Sequence, residues 1–251
     1  MQIDEFLELV RERKSIRRFK TDPIPDEYVE KLIEAARWAM SGGNGQPWEF
    51  IVVKDNETKK KIVDLYTEQR QHTWDIERTR IKELMHPAHA PGPPQGPIGF
   101  KDAPVYIVIC ADPRPVQATV LVTHFLHNEG GPGAHFLKNM ANATQILCLA
   151  AAALGLGAQW VSINRVIESR LKALLDMPEE FSIHTIVPVG YPAYEPPPPY
   201  RRELNEITHY EKYDKSKYRS NDDIYEWLRN LRQRTKLTSI QQRTDIGDGI
   251  L

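Results

Sequence analysis

The sequence has little of what several common chemistries require. Of its 251 residues only Cys110 and Cys148 are cysteine, set far apart in apolar surroundings, with no CxxC pair. That argues against a disulfide framework or a thiolate metal site and fits two buried thiols in the reducing cytoplasm. The histidines, among them His86, His89, His124, His127, His135, His184 and His209, show no ligand spacing, so no metal is expected. No apolar run is long enough to span a bilayer, and the longest, Ile146 to Leu156, is short and alanine-rich. The first residues are amphipathic and carry acids, unlike the apolar block of a secretory signal. Formal net charge is −1, so no global field favours nucleic acid or an anionic membrane. A G-x-G-x-x-G turn and a phosphate-binding P-loop are also missing, so a bound cofactor is not held by a Rossmann turn.

What is present is a mixture of helical and strand patterns in one continuous core, without an internal repeat. Ile3, Phe6, Leu7 and Val10 recur at helical spacing and mark a first helix. Asp26 and Glu27 place negative charge in the first turn of a second, which buries Tyr28, Leu32, Ala35, Ala36 and Ala39. Phe50–Val53, Val105–Ile109, Gln159–Ser162 and His184–Val189 read as four strands. Residues 56–85 look helical and charged, 136–154 a small-residue helix, and 165–175 a helix with an apolar side at Ile167, Leu171, Leu174 and Leu175. Proline and glycine between His86 and Gly99 predict an irregular excursion. Residues 112–136 are ambiguous, with a loop at 127–133. Four prolines at 196–199 give an extended arm. Beyond it the tail is polar except for one amphipathic helix near 222–233.

Three segments carry candidate chemistry. In Arg13-Lys14-Ser15-Ile16-Arg17-Arg18-Phe19, guanidinium forks and a hydroxyl suit a phosphate, although cations at a helix C-terminus are favoured without any ligand. In Ser41-Gly42-Gly43-Asn44-Gly45-Gln46-Pro47-Trp48, glycines admit a ligand close to backbone and the amides offer donors and acceptors. The same segment also reads as an ordinary helix-to-strand turn. Tyr191 to Arg202 is a proline-stiffened arm ending in two arginines; it could deliver charge to a fixed point or serve as an exposed linker.

Together with ALGLGAQWV at 153–161 and VGYPAYEPPPPYRRELNEI at 189–207, these segments resemble the nitroreductase family of FMN-dependent oxidoreductases. The resemblance implies an α+β fold, an α/β/α sandwich. Its central sheet is mostly antiparallel, with four strands of its own and a fifth donated by a partner subunit, flanked by helices. It implies an FMN-binding domain over 1–207 with a lid-like excursion at 68–100. A C-terminal extension at 208–251 would then wrap the partner of a homodimer. Matched residue by residue, Arg13 and Ser15 contact the phosphate, with Lys14 beside them. Arg17 lies at the N1/O2 edge of the isoalloxazine ring, and Asn44, with Ser41 and Gln46 in its loop, meets the ring. Backbone near Val161 and Ser162 faces N5 and O4, and Arg201, assisted by Arg202, reaches the phosphate. Ser162-Ile163-Asn164 departs from the glycine or acidic residue usual in the family, which leaves the N5 donor open.

The implied activity is transfer of electrons from NADH or NADPH through FMN to a small organic acceptor such as a nitroaromatic or quinone. Trp74, to stack on an aromatic acceptor, and Arg78, to bind a carboxylate, are candidate substrate contacts; a charged solvent-facing helix is the other reading. Alternatives are a reductive dehalogenase of the iodotyrosine deiodinase kind, whose Glu, Tyr, Lys lid pattern is not evident here, an enzyme degrading reduced FMN with oxygen to make a cobalamin base, and a flavin-binding protein without turnover.

Overall fold

Helix α1 (Ile3–Glu12) forms where the apolar stripe places it. The backbone N–H of Gln2 donates to the Glu5 carboxylate at 2.8 Å, and Asp4 and Glu5 complement the helix dipole. The computed structural model describes residues 2–81, 97–117 and 132–244. These fall into two units. The first takes in the chain up to Gln69 together with Pro97–Pro196, and the second the segment from Arg70 and the chain from Pro197.

The first unit is a five-stranded sheet between helical layers. Its strands are β1 (Trp48–Val53), β2 (Val105–Ala111), β3 (Gly157–Ala158), β4 (Val161–Ser162) and β5 (Ser182–Gly190). Their order is β1-β2-β5-β3, with β4 also on β5, and every pairing is antiparallel. Phe50 faces Ile109, and Ile107 faces Val187. One sheet face sets Val105, Ile107, Ile109, Val187 and Val189 against α2 (Asp26–Arg37) and the long α5 (Pro132–Ala153). There Leu32, Ala36, Met140, Ala143 and Leu147 are fully buried. The other face packs Tyr106, Val108, Cys110 and Ile186 against Ile62 of α3 (Asn56–Glu77) and Ile167 and Leu171 of α6 (Arg165–Leu174). With helices on both faces β2 is buried at every position, which is why its sequence is continuously apolar rather than alternating. The sandwich read from the sequence is the fold observed.

The details differ in three places. The expected strand Gln159–Ser162 is two short strands, β3 and β4, because the chain leaves β5 at Gln159 and Trp160 and returns to it at Val161. The helix expected over 56–85 ends at Glu77, where Arg78, Thr79 and Arg80 close the last turn onto Trp74, Ile76 and Glu77. A short α4 (Arg114–Gln117) lies in the segment left ambiguous. Most of the proline-rich excursion at 86–99 and the loop at 127–133 lie outside the described residues.

The second unit holds the end of α3, α7 (Leu204–Ile207) and α8 (Asn221–Thr244). α8 continues eleven residues beyond the 222–233 stretch read from its apolar positions. Within this unit Arg78 lies over the Trp74 ring at 4.8 Å, Arg219 over Trp227 at 4.9 Å and Arg234 over Tyr200 at 4.6 Å. Among the described residues no helix is long and apolar enough to cross a membrane.

Candidate functional site

α1 ends at Arg13, whose N–H closes onto the Leu9 carbonyl at 3.0 Å. The chain then runs along the sheet margin. Ser15 bridges Ala158 of β3, the Ile16 N–H donates to the Ala158 carbonyl at 3.0 Å, and Phe19 bridges Pro192 just past β5. The Lys20 N–H bonds the Tyr191 carbonyl at 2.9 Å and the Ala193 N–H bonds that of Arg18 at 3.1 Å. The basic segment is therefore stitched into the sheet on both sides, unlike a loose solvated turn. Two glycines permit the fit. A Cβ on Gly157 would stand 2.6 Å from Ile16 Cγ1, and one on Gly99 would collide with the Arg17 carbonyl.

The side chains of this segment divide by role. Lys14 pairs with Glu195 at 3.0 Å, and Arg18 lies over the Tyr194 ring at 5.2 Å. Arg13 and Arg17 have no carboxylate partner among the described residues. Burial pushes the Cys148 thiol up to about 11, and the Arg13 charge opposes that shift; α1, which Arg13 ends, packs on α5. Burial pushes Cys110 up to about 12, so neither thiol is a thiolate nucleophile near neutral pH.

The glycine loop is tied to the same helix. Its Gly42 N–H donates to Asn139 Oδ1 at 3.1 Å, and Asn142 Nδ2 donates to the Met40 carbonyl at 3.1 Å. Ser41 Oγ accepts from the Gln46 N–H at 3.0 Å, and Gln46 Nε2 donates to the Asn44 carbonyl at 3.3 Å. Asn44 is held at φ 54° in the left-handed region, which asparagine tolerates, with its side chain exposed. Trp48 fills the core, as the turn reading has it. Asn139 and Asn142 thus tie the glycine loop to the same helix on which α1 packs.

The first unit sets the segment carrying Arg13, Lys14, Ser15 and Arg17 against β3 at Ala158, three residues before Val161 and Ser162 of β4. Ser41, Asn44 and Gln46 share the α5 support. Arg201 and Arg202 belong to the second unit, where Arg201 Nη1 donates to the Tyr200 carbonyl at 2.9 Å and Arg202 Nη2 to that of Glu206 at 2.9 Å. Trp74 and Arg78 are in the second unit too, stacked on each other.

Sequence reasoning missed two features. Gln69, in the charged stretch of α3, is buried and bonds backbone at Ser162 and Asn164. His184, read as bland, packs edge-on to Trp160 at 5.1 Å, with Nε2 buried and without a partner among the described residues. Desolvation pulls its pKa from 6.5 to about 4. The unfolded chain therefore takes up a proton first as pH falls, so His184 is neutral to stability above 6.5 and costs stability progressively between 6.5 and 4. In His184→Leu, the fall in melting temperature between pH 7 and pH 4 should be smaller than in the unaltered chain. Parallel curves would show that His184 does not carry the acid sensitivity.

Comparison with known proteins gives consistent results. The model of the nitroreductase family matches residues 10–191. An Archaeoglobus fulgidus protein bearing the name "Putative NADH dehydrogenase/NAD(P)H nitroreductase" is 30% identical over 77% of this chain and 88% of its own length. Iodotyrosine deiodinase 1 of Rattus norvegicus is 28% identical over 77% of this chain and 64% of its own. The crystal structure of oxidized iodotyrosine deiodinase bound to FMN and 3-iodo-L-tyrosine superposes with a TM-score of 0.63 at 25% identity, covering 82% of this chain and 99% of that one.

Proposed function

The chain belongs to the nitroreductase family, and on that premise we propose that it is an FMN-dependent oxidoreductase carrying electrons from NADH or NADPH to a small organic acceptor, a nitroaromatic or quinone, with donor and acceptor using one site in turn. The observation that carries this reading is the pair of guanidiniums, Arg13 and Arg17, fixed along the sheet margin and left without a carboxylate. Arg13 is half-buried and Arg17 exposed, so both guanidiniums are open to an anion brought by a ligand. The donor set here comprises two guanidiniums, the Ser15 hydroxyl and the exposed Asn44 amide. It suits a phosphate at one end and a polar heterocycle at the other.

When bound, FMN supplies the hydride and electron chemistry. The chain's own residues supply the rest. Arg13 and Ser15 hold the phosphate by charge-assisted bonds, with Lys14 adding charge despite its pairing to Glu195. Arg17 places a fixed cation where negative charge grows on reduction, which favours the reduced cofactor. Ser41 and Gln46 keep the glycine loop closed so that Asn44 faces the ring. Backbone near Val161 and Ser162 orients the edge at N5. On the resemblance, Arg201 and Arg202 add to the phosphate site, and Trp74 and Arg78 receive an aromatic, anionic acceptor.

We also assign a homodimer. The apolar stripe of α1 is left uncovered in the single chain: Ile3 is 67% exposed, and Phe6, Leu7 and Val10 are between 37% and 39%. A stripe of this kind on a folded helix is a contact surface. The extension at 208–251 is assigned to the partner's side of the same assembly. Phe6→Glu with Leu7→Glu should convert the dimer to monomer in sedimentation, and a double variant that stays dimeric would refute the use of this face.

The functional test is stopped-flow mixing of the flavin-loaded protein with NADH and with NADPH. Bleaching of the flavin band, followed by recovery on adding a quinone or nitroaromatic, is expected. Flavin reduced by dithionite alone would overturn turnover and leave a binding protein. Two of the matches reported above are iodotyrosine deiodinases, so the same preparation is given 3-iodotyrosine; iodide release would favour the dehalogenase reading.

A further inference from the structure

Apart from the residues assigned to the cofactor, the first unit holds a cavity of about 440 Å³ between the first turns of α3 and the turn Gly99–Asp102. Lys59 and Lys60 of α3 and Lys101 of the turn line it, against one carboxylate, Asp102. Asp102 is taken by Lys101 at 2.8 Å, and neither Lys59 nor Lys60 makes an ion pair among the described residues. Asp55, just before α3, accepts the Thr58 N–H at 2.7 Å and the Thr58 hydroxyl at 2.8 Å, which caps the helix. The positive charge of the cavity therefore comes from side chains and not from the helix end.

The walls are fixed. Lys59 Nζ donates to the Ala103 carbonyl at 3.2 Å and to that of Pro104 at 3.1 Å. The buried Tyr106 hydroxyl donates to the carbonyls of Phe100 at 3.3 Å and Lys101 at 3.2 Å. An ammonium has three N–H donors, so Lys59 keeps one for what fills the cavity. Burial pulls the Lys59 pKa below the usual lysine value, and the Asp55 charge offsets only part of that. Val63 and Pro104 add apolar wall. The volume exceeds that of an inorganic ion and falls in the range of small-molecule pockets, about 300–1,000 Å³.

We propose that this cavity binds a small phosphate monoester, with Lys59, Lys60 and Lys101 on the phosphate and Val63 and Pro104 against the organic group. A dianion matches the two ammoniums that no carboxylate balances. The cavity shares no residue with the flavin site and stands whether or not FMN is the cofactor. Two sources have this chemistry: the 2′-phosphate of NADPH, and a phosphorylated metabolite that donates no electrons.

The test is isothermal titration of the flavin-loaded protein with ethyl phosphate and with inorganic phosphate at low salt, FMN keeping its own phosphate site filled. Binding to one site per chain is expected, tighter for the ester. Lys60→Gln should weaken it about tenfold, the loss of one charge-assisted bond. Lys60 is exposed, so the variant keeps its fold. Lys31→Gln, which removes an equal charge from α2, should leave the affinity unchanged. Failure of both ligands to bind, or the same affinity change in the two variants, overturns the proposal. Lys59 gives a readout without any variant: ethyl phosphate should slow acetylation of its amine by acetic anhydride, and an unprotected Lys59 counts against the site. Turnover then separates the sources. A KM for NADPH that rises about tenfold in Lys60→Gln, with that for NADH unchanged, assigns the phosphate to the electron donor. Both unchanged, with ethyl phosphate weakened, assigns it to a separate metabolite. A chain that takes up no FMN ends the cofactor reading alone; the same titration of Lys60→Gln against the unaltered chain still decides this one.

Discussion

Arg13→Ala should bind FMN on the order of 100-fold more weakly than the unaltered chain, as measured by titration of flavin fluorescence. Two or three charge-assisted bonds to a phosphate dianion are involved, and a hydrogen bond to a charged group contributes about 1.5–3 kcal/mol. The Arg13 backbone is held by its bond to the Leu9 carbonyl and, three residues on, by that of Ile16 to Ala158, so the side chain projects from an anchored main chain. Lys14 is the nearest other cation in sequence, but it is drawn to Glu195. Arg13→Lys should recover part of the loss and not all, because an ammonium lacks the planar fork. Arg201→Ala tests the other half of the phosphate assignment. If Arg13 and Arg201 hold the same phosphate, the double variant loses less than the sum of the single losses, the signature of groups sharing one partner. Unchanged affinity in Arg13→Ala would falsify its role, and strict additivity would separate the two arginines. Riboflavin, which lacks the phosphate, should bind the variant and the unaltered chain alike.

Gly157→Ala is expected to lower both stability and cofactor binding. The new methyl would meet Ile16 at Cγ1, Cβ and Cγ2, 2.6, 2.7 and 2.8 Å away, and Ile16 is 7% exposed, with little room to retreat. Overpacking of this kind costs about 1–3 kcal/mol. Relief must come from moving the Ser15–Ile16 backbone off Ala158, which drags Arg13 and Arg17 with it. A loss of FMN affinity out of proportion to the loss in melting temperature is the expected result. Ile16→Ala in the Gly157→Ala background should restore part of the affinity, because it removes Cγ1 and Cγ2, two of the three atoms the new methyl meets. If FMN binds the single variant as tightly as before, the seating of Ile16 on β3 does not set the cation positions.

Much of this was legible in the sequence because it repeats at helix or strand period. The stripe of α1, the acids that open α2, and the apolar runs of β2 and β5 each state their element directly. The basic segment, the glycine loop and the strand after Leu156 were found as separate pieces, and the first unit sets the basic segment beside that strand. What stayed hidden depends on contacts distant in sequence. Gln69 sits in a polar, charged helix, and its burial follows from where β4 happens to pass, which no local pattern records. The break between β3 and β4 was invisible for a related reason, since a strand that leaves and rejoins its neighbour keeps its apolar alternation. The far half of α8 has few apolar residues and so no periodic mark, although its residues are good helix formers.

β5 is the strand on which β2, β3 and β4 all pair, and it is the last of the five along the chain. During synthesis the sheet therefore waits for residues 182–190 to emerge. Until then β1 and β2 can meet only each other, over a connection of more than fifty residues, and the Arg13–Phe19 segment has only β3, itself without a neighbour, to lie against. Closing so long a loop before any strand rewards it makes the nascent chain slow to commit and leaves the β2 edge open. A ribosome-bound fragment ending before Ser182 would be a client for chaperones, and flavin would have nothing to bind until the central strand arrives.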